Sequence, residues 1–372
     1  MVFIEGGVCL RDHLARDPTS VMLLIHQRRV TVDDLHYIHT LVNPWQKVIF
    51  MNCSFASVTT EELFISSMAR MTTLVHVDVS HTTFYMPWVV VAFCRSLALL
   101  HNLKYLALAN CKLPKEAAKG LADLLDLSPQ LCHLELSYNV ALGETCPILF
   151  MAVGRHPQLQ HLSIDSMGWG KHEVAIDAIC KMIATTRSLR YLGLGHNGFL
   201  CSMGDRLAEC LQHNTTLNEV NLLYNHALLR PRFVQALLRK TMATNTTLHM
   251  LQCTPLACHD PHERQLYHDL TQCLLHNRRH YLLQRWSQAR HHTFPDELQE
   301  TIMLWALLWV KSARFQRLLP NPLLWRLFYQ LTPLDVELPT FRDVRLVHRT
   351  LDCPCNQCRD ERHLSTDMED ED

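Results

Sequence analysis

Soft metal donors gather near the end of the chain. Cys353, Cys355 and Cys358 form a C-x-C-x2-C run, with His348 before it and His363 after it. Three thiolates and an imidazole are a donor set for tetrahedral zinc. The members lie closer together than in a standard finger, so zinc competes there with a plain free-thiol tail. Histidine is also abundant, 24 of 372 residues. Residues 193–198 read GLGHNG, the letters of a dinucleotide-binding G-x-G-x-x-G, and 168–173 read GWGKHE. A dinucleotide loop needs a strand before it, a helix after it and an acid about 20 residues on, and GWGKHE lacks the rest of a phosphate loop. Neither H-E-x-x-H nor G-x-S-x-G occurs. No local spacing assembles a nucleophile, a base and an orienting group, so the expectation is a protein that is not an enzyme.

The elements that position these residues come from a repeat. Residues 103–113 read LKYLALANCKL, 131–141 LCHLELSYNVA, 189–199 LRYLGLGHNGF and 217–227 LNEVNLLYNHA. Looser copies begin at Trp45, Leu74, Leu159 and Leu248, so that eight copies follow one another at spacings of 28 to 31 residues. This is the L-x-x-L-x-L-x-x-N/C-x-L pattern. Helical stretches follow, with apolar residues three and four apart, as at Val234, Leu237 and Leu238. The period and the helix after each strand resemble the ribonuclease-inhibitor-like class of leucine-rich repeats. The resemblance implies an α/β solenoid, a horseshoe with a parallel concave sheet and convex helices. Since one unit cannot bury its apolar face alone, neighbours must stack. The ninth position is Asn or Cys in Cys53, Cys111, Asn139, Asn197 and Asn225, while Thr82, Met167 and Leu256 depart from it.

Phase then places the chemistry. Leu194 is a core position and Asn197 a turn residue, which accounts for GLGHNG without a cofactor. Positions two, three, five and seven face solvent. The third-position row contains His76, Tyr105, His133, His161 and Tyr191, with Lys47 before it and Glu219 and Met250 after it; Asp78 and Glu135 lie beside it in the fifth-position row. Tyr and His bring amphipathic area at small ordering cost, which suits protein recognition. The expected partner-binding set is His76, Asp78, Tyr105, His133, Glu135, His161, Tyr191 and Glu219. Strands lie about 4.8 Å apart, so His133 and His161 would also be close enough for a two-histidine metal clamp. Free histidine titrates near 6.5, and binding through the row is expected to change between about pH 7.5 and 5.5.

The remaining chain divides into a helical cap at 1–44, the repeats at 45–275, a helical module at 276–345 and a Cys-rich, acidic tail at 346–372. The basic, histidine-rich stretch at 276–300 reads as the solvated face of capping helices. The segment LPNPLLWRLFYQLTPLDV at 319–336 resembles the start of an F-box, with Leu319, Pro320, Leu323, Leu324, Leu327, Phe328 and Leu331 at the matching offsets. Asn321-Pro322 stands where an acidic pair is usual, and Pro339 falls where a third helix would run. The L-P-x-P element also resembles part of a SOCS box. Either resemblance implies docking on a Skp-type or elongin adaptor of a cullin ubiquitin ligase, through an apolar helix face in a groove. A repeat array ending in such a box resembles poxviral ankyrin proteins, which implies a viral protein acting on its host. The alternative is a stand-alone inhibitor or regulatory binder in the manner of ribonuclease inhibitor, its C-terminus a cap.

Composition narrows the rest. Hydrophobic residues at 48% support a core, and a net charge of -1 argues against a nucleic-acid partner. The start of the chain lacks a secretory pattern, and the most apolar run, TIMLWALLWV at 301–310, is too short to span a bilayer. With 15 scattered cysteines, the expectation is reduced thiols in a cytoplasmic or nuclear protein without a membrane partner.

Overall fold

The computed structural model describes residues 2–5, 21–40, 45–253 and 260–289. The adaptor-binding residues expected at 319–331, the zinc ligands expected at 353–363, and TIMLWALLWV lie outside them. Ten strands form one sheet, β1 (Val2–Glu5) and β2 (Met22–His26) followed in order by β4, β6, β7, β8, β9, β10, β11 and β12, every neighbouring pair parallel. The strands from the repeat signature are β4 (Lys47–Met51), β6 (His76–Asp78), β7 (Tyr105–Ala107), β8 (His133–Glu135), β9 (His161–Ser163), β10 (Tyr191–Gly193), β11 (Glu219–Asn221) and β12 (Met250–Gln252). The short strands β3 (Arg29–Val30) and β5 (Ser54–Phe55) pair separately.

In the three-residue strands the middle residue points into the core. Val77, Leu106, Leu134, Leu162, Leu192 and Val220 are all fully buried. Helices return the chain behind the sheet: α1 (Val32–Thr40), α2 (Val58–Arg70), α3 (Pro87–Leu97), α4 (Ala117–Leu127), α5 (Cys146–Arg155), α6 (Glu173–Thr185), α7 (Gly204–His213) and α8 (Pro231–Ala236). Their buried faces follow the helical period, as with Ile176, Ile179 and Ile183 of α6. Ser57 caps α2 by accepting the Thr60 N–H, and α3 and α8 open on Pro87 and Pro231, where a missing N–H is harmless.

Two expected boundaries are corrected. Residues 1–44 are not an all-helical cap: β1 (Val2–Glu5) and β2 (Met22–His26) extend the sheet, and α1 follows β2 as in a repeat. Ser20 and Arg28 stand where the signature has an apolar residue and Asn or Cys, which hid this unit. At the other end, α9 runs unbroken from Pro261 to Ala289, across the boundary expected between 275 and 276. Its Leu266, Tyr267, Leu270 and Leu274 pack on the core. Its Asn277 donates to the carbonyls of Asn245 and Leu248, the place where earlier repeats turn into the next strand. Here the helix continues, and Tyr281 stacks on His249 beside the edge strand β12.

Buried side chains hold the corners of each unit. Asn197 accepts the Met167 N–H and donates to the carbonyls of Ile164 and Leu194; Asn225 accepts the N–H groups of Asn197 and Phe199 and donates to Leu194 and Leu222. The departures from the signature keep part of this role. Thr82 accepts from Cys53 N–H and donates to Phe50 O, whereas the Met167 sulfur only accepts, from Asn139 N–H. At the opposite corner, Asn214 and Asn245 each accept two backbone N–H groups. His156 does the same through Nδ1, so this histidine serves architecture.

Candidate recognition face on the sheet

The solvent side of the sheet is built from the positions that flank each buried leucine or valine. Registry puts His76 beside Tyr105, Tyr105 beside His133, His133 beside His161, and His161 beside Tyr191. The rings follow that registry as one continuous stack. Centroids lie 3.9, 4.1, 3.9 and 4.1 Å apart along it, with interplanar angles of 4, 18, 11 and 5°. Aromatic pairs of this kind contribute about 0.5–1.5 kcal/mol beyond the area they bury.

Stacking changes the chemistry expected of the histidines. Each ring covers its neighbour, and burial disfavours the imidazolium. The pKa of His76 falls to about 4, through burial and then the Lys47 charge; that of His133 to about 3, through burial and then its histidine neighbours; that of His161 to about 4, through burial. The row therefore stays neutral between pH 7.5 and 5.5, and the expected titration of the row in that window is corrected. The two-histidine clamp is corrected as well. Imidazole lone pairs lie in the ring plane, so face-to-face rings cannot converge on one ion, and no group of three or more metal-capable side chains occurs among the described residues.

Carboxylates lie one and two rows farther along the strands. Asp78 accepts the Ser80 N–H at 2.9 Å, and Glu135 accepts the Ser137 N–H at 2.8 Å. Glu219, at the end of the ring row, accepts from Gln252. A seventh-position residue, Asp165, escaped the sequence reading, which followed rows three and five only. Its carboxylate accepts from Ser163 Oγ at 2.9 Å, from Asn221 Nδ2 at 3.2 Å and from the Gly195 N–H. Ser137 and Ser163 hydroxyls lie 3.3 Å apart and tie Glu135 to this network. The glycines of GLGHNG make room for it: a Cβ on Gly193 would sit 2.8 Å from Asp165 Oδ2, and one on Gly195 3.0 Å from Oδ1. That spacing is the signal that could have found Asp165. GWGKHE has a similar explanation, because a Cβ on Gly170 would collide with the Gly198 carbonyl.

Burial raises the pKa of Glu135, Asp165 and Glu219, against their hydrogen bonds. Burial comes first again in the upward shift of the Tyr191 phenol, and the nearby Asp165, Glu219 and Glu135 charges add to it. The flank before the rings is different. Lys47 precedes them in the third row, and Lys104 and Arg190 stand exposed in the second row. Along the strands, Lys104 and Arg190 thus lie on one side of the rings and Asp78, Glu135 and Asp165 on the other.

The eighth position turns the chain away from the sheet in a left-handed conformation. Asn52, His81, Asn110, Tyr138, Ser166, His196 and Tyr224 all have φ between 53 and 65°. Tyr138 and Tyr224 stand 58% and 60% exposed at that margin.

Fold and face together define an α/β repeat protein: stacked strand–helix units, a parallel sheet, and a continuous ring ladder on its open side. No protein-family model matches the chain. Among solved structures, the chain is similar to "Leiomodin-1 Actin-Binding Site 2 (ABS2)", at 16% identity over 62% of this chain and 95% of that one, with a TM-score of 0.23. A likeness at that level carries no argument about function. Among the described residues, no helix is long and apolar enough to cross a membrane.

Proposed function

We propose that the protein is a non-catalytic recognition scaffold of the leucine-rich-repeat type, curved into a horseshoe, that holds a protein target on the sheet face. The observation that carries this reading is the five-ring stack from His76 to Tyr191. Rigid, already ordered rings lose little entropy when a partner covers them.

The finer reading is a cytoplasmic or nuclear substrate receptor. The solenoid holds the target, and the box at 319–336 recruits a cullin-type ubiquitin ligase through a Skp-type or elongin adaptor, in a virus–host setting. One observation supports giving that box a role of its own: α9 already packs on the last repeat through Leu266, Leu270 and Leu274. A later segment is then not needed as a cap. The tail cysteines need no zinc in this reading.

The experiment compares partners captured by the full chain, by Tyr105→Ala/His133→Ala, and by Leu323→Ala/Leu327→Ala. Loss of target with the first variant and loss of adaptor with the second is the expected pattern. Retention of every target by Tyr105→Ala/His133→Ala removes the sheet face from the account. Absence of both adaptors from the unaltered chain's partners removes the ligase role and leaves a stand-alone binder.

A further inference from the structure

The thiols of the chain differ in setting. Cys53, Cys94, Cys111 and Cys146 are buried, and burial pushes their pKa values up to about 11 or 12, so they stay protonated and inert. Cys180 and Cys210 are placed otherwise. Each stands 21 residues after the first leucine of its repeat, Leu159 or Leu189, at a place where other repeats have Arg95, Leu124, Ala152 and Leu238. Cys180 is half-buried on α6, Cys210 is buried on α7, and the two helices pack against each other. One turn before the thiols, Arg206 of α7 bridges to Glu173 and Asp177 of α6 and pins the facing sides together. Packed helix axes lie about 8–10 Å apart with Cα atoms on a radius of about 2.3 Å, so facing Cα atoms reach the roughly 4.4–6.8 Å that a disulfide spans. The Cys180 and Cys210 side chains are in hydrogen-bonding contact.

We propose that Cys180 and Cys210 form a site of reversible oxidation, at which hydrogen peroxide converts the two thiols into a disulfide that fastens α6 to α7. The proposal is independent of the recognition reading above. Cys180 reacts first. Its thiolate attacks one peroxide oxygen, the S–O bond forms, the O–O bond breaks, and the departing hydroxide takes up the proton that Cys180 released. Sulfur is oxidised by two electrons and the peroxide reduced by two. The Cys210 sulfur then attacks the sulfenic sulfur, the S–S bond forms, the S–O bond breaks, and the departing hydroxide takes the Cys210 proton. Two thiols and one peroxide become one disulfide and two waters. The setting favours this order. Contact with Cys210 lowers the pKa of Cys180 and the Arg206 charge adds to it, against burial and the Asp177 and Glu209 charges. The Cys180 sulfur raises the pKa of Cys210, and burial adds to that. A neutral sulfenic acid at Cys180 removes the first of these restraints just when Cys210 must react. The bond would join the repeats that carry His161 and Tyr191, the last two rings of the stack.

The test uses the full chain, reduced, freed of reductant and exposed to rising hydrogen peroxide, with circular dichroism to follow folding. Remaining thiols are alkylated with iodoacetamide, and tryptic peptides are mapped by mass spectrometry without reduction. The expected result is the peptides carrying Cys180 and Cys210 joined, two hydrogens lighter than their sum, and separated again by dithiothreitol. In Cys210→Ser the link is lost and a sulfenic acid persists at Cys180, where dimedone captures it. In Cys180→Ser the link is lost and Cys210 gives no dimedone adduct. Recovery of Cys180 and Cys210 as two alkylated thiols, at every peroxide concentration that leaves the unaltered chain folded, overturns the inference. So does a dimedone adduct at Cys180 of the unaltered chain with no link to Cys210, since the two sulfurs then fail to meet. Both of these results come from the unaltered chain and need no variant to fold.

Discussion

The two surfaces of the sheet–helix layer spend their charges in opposite ways. On the helix side, arginines bridge one repeat to the one before it: Arg155 to Asp126, Arg206 to Glu173 and Asp177, Arg232 to Asp205. These groups are wet, and such pairs add little to stability. On the sheet side Asp78 is buried and Glu135 and Asp165 are half-buried, and these three carboxylates receive neutral donors. The difference teaches that the helix side meets these acids with its own arginines, whereas none of the ion pairs among the described residues involves Asp78, Glu135 or Asp165.

The largest expected effect comes from breaking the ladder at its second ring. Tyr105→Ala removes two stacks and is expected to lower unfolding free energy by about 1–3 kcal/mol, and to weaken partner binding by more than about tenfold. Denaturant titration and capture of the partner measure the two. Gly193→Val comes next. Its Cβ meets the Asp165 carboxylate and Ser163 Oγ, so overpacking is expected to cost about 1–3 kcal/mol in the same titration. An unchanged midpoint would show that Asp165 moves aside freely.

A smaller effect appears as pH dependence. The ladder histidines are depressed in the folded chain relative to an unfolded value near 6.5. The folded state therefore binds fewer protons, and stability is lost as pH falls below 6.5 toward the folded values of about 4 and 3. Glu135, Asp165 and Glu219 have raised pKa values and act with the opposite sign. Thermal melting from pH 7.5 to 4.5 is expected to fall less steeply for His133→Phe than for the unaltered chain. The smallest effect belongs to the helix side, where Arg206→Ala is expected to leave both the denaturant midpoint and partner binding unchanged. A marked loss of binding there would erase the contrast between the surfaces.

Much of this arrangement was legible in the sequence because a solenoid converts position in the repeat into position in space. The phase of LKYLALANCKL and its copies was enough to line up His76, Tyr105, His133, His161 and Tyr191. The unit at β2 was not legible, because Ser20 and Arg28 break the pattern while Leu23 and Ile25 still fill the core. The neutrality of the histidines was hidden for another reason. A pKa depends on how tightly rings cover one another, and phase reports order along the row without the 3.9 to 4.1 Å approach. Asp165 was missed because its donors Gly195 and Asn221 belong to the next two repeats, so its environment belongs to no single repeat.

Capture of partners by the unaltered chain, by Tyr105→Ala/His133→Ala and by Arg206→Ala bears most directly on the sheet face as the recognition surface. Circular dichroism checks that each is folded. The account predicts that the ladder variant loses target binding by more than about tenfold, while Arg206→Ala retains it. Equal capture by all three would contradict it, and would mean that the target does not meet the ring ladder.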